Sequence, residues 1–198
     1  MEYGTGILPE KEYVAVKVPV FSFEKIKDAD TSLGPEMKST GEVLGLDKTF
    51  ADSILKGFIA SGINIPKEGT VLITVRDKDK PEVLELARKL ANKNFKICAT
   101  EGTAKFLNEG GVKAKVLNKL SEGADSIIEN IQTGKITFVI NTPTRGKDSD
   151  RDGFKIRRVA SEYKIPCFTS IDTAQALYNT IEYGRTEAEV SIIDITKI

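Results

Sequence analysis

The sequence predicts an α/β protein with a doubly wound, mainly parallel five-stranded sheet and helices on both of its faces. From Gly69 onward, short apolar, β-rich runs alternate with amphipathic runs of about ten residues, which is typical of strands joined by crossover helices. Such connections favour parallel pairing and a doubly wound sheet. The strand interiors are apolar, and polar residues follow each strand directly. Candidate ligand-binding residues are therefore expected along one edge of the sheet.

The alternation gives each element a position in the chain. Strands are predicted at 71–76, 96–100, 114–118, 136–141 and 166–170. Helices are predicted at 80–94, 103–111, 124–134, 151–164 and 172–184. In the first of these helices the apolar residues recur with the period of one helical face, at Val83, Leu86, Ala87, Leu90 and Ala91. Asp172 or Thr173 is predicted to cap the last helix, and residues 190–198 to add a last strand or a short helix.

Residues 1–61 have a different pattern. A strand is predicted at 13–23, an irregular, turn-rich segment at 28–47, and a helix at 49–62. The helix is expected to turn its apolar residues toward a core, namely Phe50, Ile54, Phe58 and Ile59. One strand, one loop and one helix bury too little surface to fold alone. This segment is therefore predicted to be the tail of a neighbouring domain, with the second domain spanning residues 62–198.

Composition limits the function classes. Lys and Arg number 29 against 29 Asp and Glu, so general nucleic-acid binding and attraction to membranes are not expected. The apolar runs are too short to span a bilayer, and a cytoplasmic protein is predicted. The chain has no histidine and two cysteines, which argues against a zinc site and removes the usual general base. Cys98 and Cys167 are expected to be buried, reduced thiols.

The stretch ATEGTAKFLNEGG (99–111) is the first candidate site. It runs from a strand through a small polar turn into a helix, which is how α/β proteins form an anion cradle. It matches neither the Walker loop nor the dinucleotide-binding fingerprint. Threonines in such a turn also commonly serve only to cap the helix, so both interpretations stay open.

Polar residues follow all five predicted strands. They are Thr74, Arg76 and Lys80; Thr100, Gly102 and Thr103; Asn118 and Lys119; Asn141, Thr142, Thr144 and Arg145; and Thr169 and Ser170. Lysines, hydroxyls and a helix N-terminus around one crevice suit a phosphate monoester. Asn141 is then placed to contact a base or a ribose.

The charged segment 145–158, RGKDSDRDGFKIRR, has a structural interpretation as a solvated loop leading into an amphipathic helix. It also resembles part of a calcium loop. Counted from Asp148, however, the twelfth position is Val159 rather than an acidic ligand, so calcium binding is not expected. Arg157 and Arg158 are candidates to support a phosphate, and at least one of them is expected to pair with an acidic neighbour.

Two segments resemble a known family. VAVKVPVFSFEKI (14–26) and LGPEMKSTGEVLGLDKTFADSILK (33–56) closely resemble the large subunit of carbamoyl-phosphate synthetase, where the second ATP-grasp half meets the C-terminal domain. Residues 62–198 are similar to that subunit's allosteric domain, which shares its fold with methylglyoxal synthase. The resemblance implies that residues 1–61 are a partial ATP-grasp segment.

The resemblance also implies a function. The intact ligase makes carbamoyl phosphate from bicarbonate, glutamine-derived ammonia and two ATP, used with Mg²⁺ or Mn²⁺, for pyrimidine and arginine biosynthesis. Its partners are the rest of the large subunit and the small glutamine amidotransferase subunit. The fragment itself is expected to be non-catalytic, to hold no metal or cofactor, and to bind effectors such as UMP or IMP. The family's nucleotide contacts correspond to Thr74, Lys80, Thr100, Thr103, Lys119, Asn141 and Thr142.

Two points remain open in this resemblance. Thr169 matches an ornithine contact whose acidic partners lie mostly upstream, so the fragment is expected to bind ornithine poorly. N-acetylglutamate serves as activator in another branch of the family. The alternative function is a methylglyoxal synthase-type enzyme that eliminates phosphate, for which Asp125 is the candidate base, although Asp125 is also well placed as a helix N-cap.

Overall fold

A computed structural model describes residues 6, 10–20, 41–118, 126–143 and 152–197. Seven strands are described in chain order: β1 Val14–Val20, β2 Gly41–Asp47, β3 Thr70–Thr74, β4 Lys96–Ala99, β5 Ala114–Val116, β6 Phe138–Asn141 and β7 Cys167–Phe168. The α-helices are α1 Phe50–Ala60, α2 Lys80–Asn92, α3 Glu101–Glu109, α4 Ile127–Gln132, α5 Asp152–Glu162 and α6 Ile171–Tyr183. Three-residue 3₁₀ helices lie at Asp77–Asp79, Glu187–Glu189 and Ile195–Lys197.

The predicted five-stranded parallel sheet is confirmed. Its strands lie in the order β5-β4-β3-β6-β7, and each neighbouring pair is parallel. Because the chain moves outward from β3 in one direction and then returns to place β6 on its other side, the sheet is doubly wound. β7 is only two residues long and lies at the edge.

Helices cover both faces of this sheet. On one face, Val71 and Ile73 of β3 pack with buried residues of α2, α3 and α6. On the other, Leu72 packs with residues of α4 and α5. The predicted apolar face of α2 is buried at Val83, Leu86, Ala87 and Leu90. Alternation along β3 thus supplies two apolar layers, one for each set of helices.

The N-terminal segment differs from the prediction. Residues 41–47 were expected to lie in a turn-rich segment but form β2, which pairs with β1 in an antiparallel two-stranded sheet. Glycines and acidic residues give GEVLGLD a low strand propensity, and pairing along the whole of β1 overrides it. Gly45 permits a close approach to α1, since a Cβ there would lie 1.9 Å from the carbonyl oxygen of Ser53.

Helix α1 packs apolar residues against the core of the five-stranded domain. Phe58 is 3% exposed and packs edge-on against Phe168, with ring centroids 6.4 Å apart. Ile54 packs on the same cluster, whereas Phe50 is 60% exposed, so the expectation that Phe50 faces the core was wrong. In the first turn the buried positions are instead polar, and the Ser53 hydroxyl donates to the carbonyl of Val14 at 2.7 Å.

A polar contact links α1 to the end of α6. The Asp52 carboxylate accepts from Arg185 Nη1 at 2.5 Å and from the Tyr183 hydroxyl at 3.2 Å. Thr49, the N-cap of α1, also donates to this carboxylate at 2.8 Å. The Asp52 side chain is 7% exposed and that of Arg185 37%. The N-terminal segment is therefore joined to the five-stranded domain by an ion pair as well as by apolar packing.

Two predicted helix caps were wrong. Ser170 precedes α6, rather than Asp172 or Thr173, because the helix begins with Ile171, which is buried against the core. Ser126 caps α4 and accepts from the amide of Glu129 at 3.1 Å, where Asp125 was expected. Asp125 itself lies outside the described residues.

The two thiols occupy different environments. Cys98 is buried on β4 and contacts the carbonyl of Val71 at 3.3 Å, while Cys167 is partly exposed rather than fully buried. Both are free. Among the described helices, none has the length and the apolar character needed to cross a bilayer.

Candidate functional site

The central strands β3 and β6 define the position of the candidate site. They are neighbours in the sheet, and the connections that leave them lead to opposite halves of it. Open α/β sheets form a crevice beyond the carboxyl ends of two such strands. Thr74 and Asn141, the last residues of β3 and β6, are directly paired in register. Two of the predicted site residues are therefore adjacent at this crevice.

Lys80 lies at the start of α2 and points toward α3. Its Nζ is 3.7 Å from the position that a Cβ on Gly102 would occupy, so the ammonium group lies beside the first turn of α3. The lysine side chain is 16% exposed, and its Nζ pairs with Asp77 Oδ1 at 2.7 Å. Because the Asp77 side chain is 94% exposed, this ion pair is weak and can be displaced by a ligand anion.

Thr100 and Thr103 form the N-terminal turn of α3. Both are buried, and their hydroxyl oxygens are 3.4 Å apart, a long contact. The turn is closed through the backbone, because the carbonyl of Thr100 accepts from the amides of Thr103 and Ala104 at 2.9 and 2.8 Å. Thr100 is the N-cap but makes no capping bond through its side chain to any described residue. Helix capping therefore does not account for this hydroxyl.

Thr142 has a structural role in the loop between β3 and α2. Its hydroxyl oxygen accepts from the amide of Arg76 at 3.0 Å, and its side chain also bonds Asp79. Arg76 Nε in turn donates to Asp79 Oδ2 at 2.7 Å. Burial alone would raise the pKa of Asp79, but the hydrogen bonds from Arg76 and Thr142 and the nearby positive charge outweigh it and lower that pKa. The loop that precedes Lys80 is therefore fixed to the end of β6.

Asn141 and the two arginines of α5 complete the described part of the site. Asn141 is 2% exposed, and its Oδ1 accepts from Arg157 Nη1 at 2.5 Å. Arg157 is itself buried. Arg158 pairs with Glu162 at 2.9 Å, which confirms that one of the two arginines has an acidic partner. Among the described residues, Lys80 thus lies beside the N-terminus of α3, whereas Arg157 lies against Asn141.

The structure brings most of the predicted residues to one edge of the sheet. Those at the carboxyl ends of the three central strands β4, β3 and β6, or just beyond them, are Thr74, Lys80, Thr100, Thr103, Asn141 and Thr142. Thr169 follows β7, one strand farther out, and is partly buried. Outside the described residues lie Lys119, Asp125, Thr144 and the first part, 145–151, of the charged segment 145–158, which includes Arg145.

Sequence reasoning missed two features of this site. One is the Asp77–Lys80 pair, which the spacing of three residues in a turn could have indicated. The other is the bond from Arg157 to Asn141, for which the only sequence signal is Gly153, four residues before Arg157 on the same helical face. In the part of the chain that the structure describes, no three Cys, Asp or Glu residues are grouped so as to hold a metal ion.

The central part of the chain matches a known family of domains. The family model of the MGS-like domain matches residues 82–169, from α2 to the residue after β7. Among solved structures, the crystal structure of methylglyoxal synthase from Elizabethkingia anophelis NUHP1 is similar, with 22% identity and a TM-score of 0.46. The alignment covers 58% of this chain and 79% of that one. Residues 82–169 thus match an MGS-like domain, and they contain four of the five strands of the parallel sheet.

Proposed function

We propose that this chain is the regulatory C-terminal part of the large subunit of a glutamine-dependent carbamoyl-phosphate synthetase, and that it binds a nucleotide monophosphate such as UMP or IMP. The observation that carries the proposal is the position of the Lys80 ammonium group beside the first turn of α3, next to the β3–β6 crevice. A cation and a helix N-terminus together attract a phosphate dianion more strongly than either does alone.

Each residue has a distinct role in this proposal. Lys80 supplies the point charge, and the phosphate replaces Asp77 as its partner. The hydroxyls of Thr100 and Thr103 donate short hydrogen bonds to phosphate oxygens, since capping does not use the Thr100 hydroxyl. Thr74 and Asn141 face the remainder of the nucleotide, Lys119 adds a second cation, and Thr142 holds the loop before Lys80 in place.

The N-terminal segment is the proposed link to the catalytic domains. In this proposal β1, β2 and α1 belong to the end of the ATP-grasp half, and Phe58 and the Asp52–Arg185 pair connect them to the effector domain. A regulator acts only if it binds two conformations of the subunit unequally. Phe58→Ala in the intact subunit is therefore expected to weaken the nucleotide effect while the fold is retained. Unchanged regulation would refute this link.

Catalysis is assigned to the intact subunit. That subunit is proposed to use ATP with Mg²⁺ or Mn²⁺, together with the small amidotransferase subunit, whereas residues 1–198 alone are proposed to be non-catalytic. Thr169 is proposed to lie at the ornithine side of the interface with the ATP-grasp half. The fragment should accordingly bind ornithine much more weakly than the intact subunit does.

The test is titration calorimetry of the chain with UMP, IMP and N-acetylglutamate at low salt. Lys80→Ala should weaken nucleotide binding at least about tenfold, which is ~1.4 kcal/mol. Thr103→Val should weaken it similarly, and Thr103→Ser should restore it because the hydroxyl returns. Lys105→Ala is the matched control, since it removes an equal charge from an exposed position on α3. Equal losses in Lys80→Ala and Lys105→Ala would refute the cradle.

A second assay addresses the enzymatic alternative. A methylglyoxal synthase-type enzyme has the same class of fold, and its candidate base here is Asp125. Incubation with dihydroxyacetone phosphate should then release methylglyoxal and phosphate, and Asp125→Asn should abolish the release. Turnover with this dependence on Asp125 would replace the regulatory proposal, whereas nucleotide binding without turnover supports it.

A further inference from the structure

Asn141 lies at the end of β6 with its amide in a fixed orientation. Its Oδ1 is 2.5 Å from Arg157 Nη1. An arginine side chain offers only hydrogen-bond donors, so the amide atom that faces it must be the acceptor oxygen. The usual ambiguity between the oxygen and the nitrogen of an asparagine amide is therefore settled by the chemistry of its partner.

The other end of the amide carries two unused donors. No described residue accepts a hydrogen bond from Asn141 Nδ2, although the residue is 2% exposed. The Nδ2 atom itself is not fully enclosed, so its hydrogens are available to solvent or to a ligand. Asn141 itself ends β6 beside the crevice between β3 and β6, where it pairs with Thr74.

Helix α5 holds the arginine firmly. Ile156 and Ala160 are fully buried in the core on either side of Arg157, which is itself 6% exposed. Gly153 lies against both side chains, since a Cβ there would be 3.4 Å from Arg157 Nη1 and 3.5 Å from Asn141 Nδ2. Packing of α5 therefore holds the Arg157 side chain beside Asn141.

We propose that Arg157 is a positioning residue that keeps Asn141 as a hydrogen-bond donor toward the crevice, so that the bound molecule must present an acceptor as well as a phosphate. This inference rests on the proposed function and specifies the ligand further. The acceptor is a carbonyl oxygen of a base or a hydroxyl oxygen of the sugar. Arg157 acts through Asn141 and does not bind the phosphate itself.

Arg157 makes Asn141 selective among ligands because it removes one of the two orientations of the Asn141 amide. An asparagine without a fixed partner can rotate its amide and offer either a donor or an acceptor to a ligand. Arg157, which has only donors, faces Oδ1 and so prevents Asn141 from offering an acceptor to the ligand. Rotation of the amide would bring the Nδ2 hydrogens against the guanidinium. Ligands that present only donors at this point are then rejected, since they leave Nδ2 without an acceptor.

The experiment measures binding of inorganic phosphate, ribose 5-phosphate and UMP by NMR titration of the full chain. The quantity compared is the ratio of the affinities for UMP and phosphate, which cancels any general effect of charge on the phosphate site. Arg157→Met should lower this ratio about fivefold or more, and Arg157→Lys should restore it to within about twofold, because lysine is also a donor-only cation. Arg158→Lys is the matched control and should change nothing.

A second variant tests the same inference if Arg157→Met fails to fold. Asn141→Asp keeps a partner for Arg157 but replaces the donor with an acceptor, and it should lower the same ratio. A preference for ribose 5-phosphate over phosphate in the native chain assigns the acceptor to the sugar, whereas a preference that begins only with UMP assigns it to the base.

The outcomes separate this inference from the proposed function. If the native chain binds UMP and Arg157→Met leaves the affinity ratio unchanged, the positioning role is refuted while the regulatory proposal stands. Equal losses in Arg157→Met and Arg157→Lys would also refute it, because the shape of the side chain and not its donors would then matter. If the native chain binds none of the three molecules, the phosphate cradle itself is refuted.

Discussion

Gly45 provides the most direct test of how the N-terminal segment folds. It lies in β2 and faces the backbone of α1, where an added Cβ would be 1.9 Å from the carbonyl oxygen of Ser53 and 2.7 Å from the amide nitrogen of Gly57. Carbon–oxygen contacts are normally about 3.3 Å or longer. Both obstructing atoms belong to the backbone, so no side-chain rotation can relieve the overlap. Gly45→Ala must therefore push α1 away from β2.

The expected cost follows from this geometry. Overpacking a well-packed site typically costs 1–3 kcal/mol, and a clash with backbone atoms belongs at the upper end, at about 3 kcal/mol. For a chain of this length that is a decrease in Tm of roughly 6–12 °C. Thermal unfolding followed by circular dichroism measures the decrease, and hydrogen exchange of the α1 amides shows whether the helix is released first.

Gly41 is the matched control for this substitution. It is the first residue of the same strand, and nothing lies within 4 Å of a Cβ placed there. Gly41→Ala is expected to leave the Tm unchanged or to raise it slightly, because alanine loses less backbone entropy on folding. A Gly45→Ala protein that melts within about 2 °C of the native protein would refute the close packing of β2 on α1.

Three further results are expected. Because the pKa of Asp79 lies below its ordinary value of 3.8, the ionised carboxylate stabilises the fold above about pH 4 and this contribution is lost as the pH falls through the folded-state pKa. Asp79→Asn should accordingly lower the Tm at pH 7 and flatten its decline in acid, and parallel acid profiles would contradict this. Burial raises the pKa of the Cys98 thiol to about 12, so Ellman's reagent at pH 8 should not label Cys98 before unfolding; rapid labelling of Cys98 in the native protein would contradict it. Asp52→Ala should destabilise the protein by about 1–3 kcal/mol in urea unfolding. If the destabilisations by Asp52→Ala and Arg185→Ala simply add in the double variant, coupling between Asp52 and Arg185 is excluded.

The five-stranded domain could be predicted because each of its signals is local. The apolar positions of α2 recur with helical period, and the structure buries Val83, Leu86 and Leu90 as expected. All four residues of β6 are buried, and three of them are apolar. For elements of this kind the sequence pattern and the final environment coincide, so a reading of the pattern alone is sufficient.

The missed elements depend on contacts between distant segments. Strand β2 carries glycines that lower its propensity, and only its pairing with β1 and the approach of α1 make it a strand. Phe50 has the spacing of a core residue, but the first turn of α1 buries polar groups instead. The cap of α6 was misplaced because Ser170 is the N-cap without a side-chain capping bond, and the buried Ile171 follows it.

The candidate site shows the same division. The rule that ligands bind beyond the carboxyl ends of parallel strands leads directly to Thr74, Thr100 and Asn141. The orientation of the Asn141 amide could not be predicted, since it depends on how α5 packs and brings Arg157 to β6. Position along a strand is encoded locally, whereas the hydrogen-bonding state of a side chain is set by its tertiary neighbours.

The order of strands in the sheet has a consequence for folding. β3 and β4 are joined by a single helix, but the contact between Thr70 and Thr137, where β3 meets β6, closes a loop of 67 residues. Pairings of high sequence separation carry the larger loss of chain entropy and are slow to form. The crevice between β3 and β6 exists only after the two halves of the sheet have joined. A molecule bound across it would therefore slow the separation of those halves. It would stabilise the pairing of β3 with β6, whose residues lie far apart in the sequence.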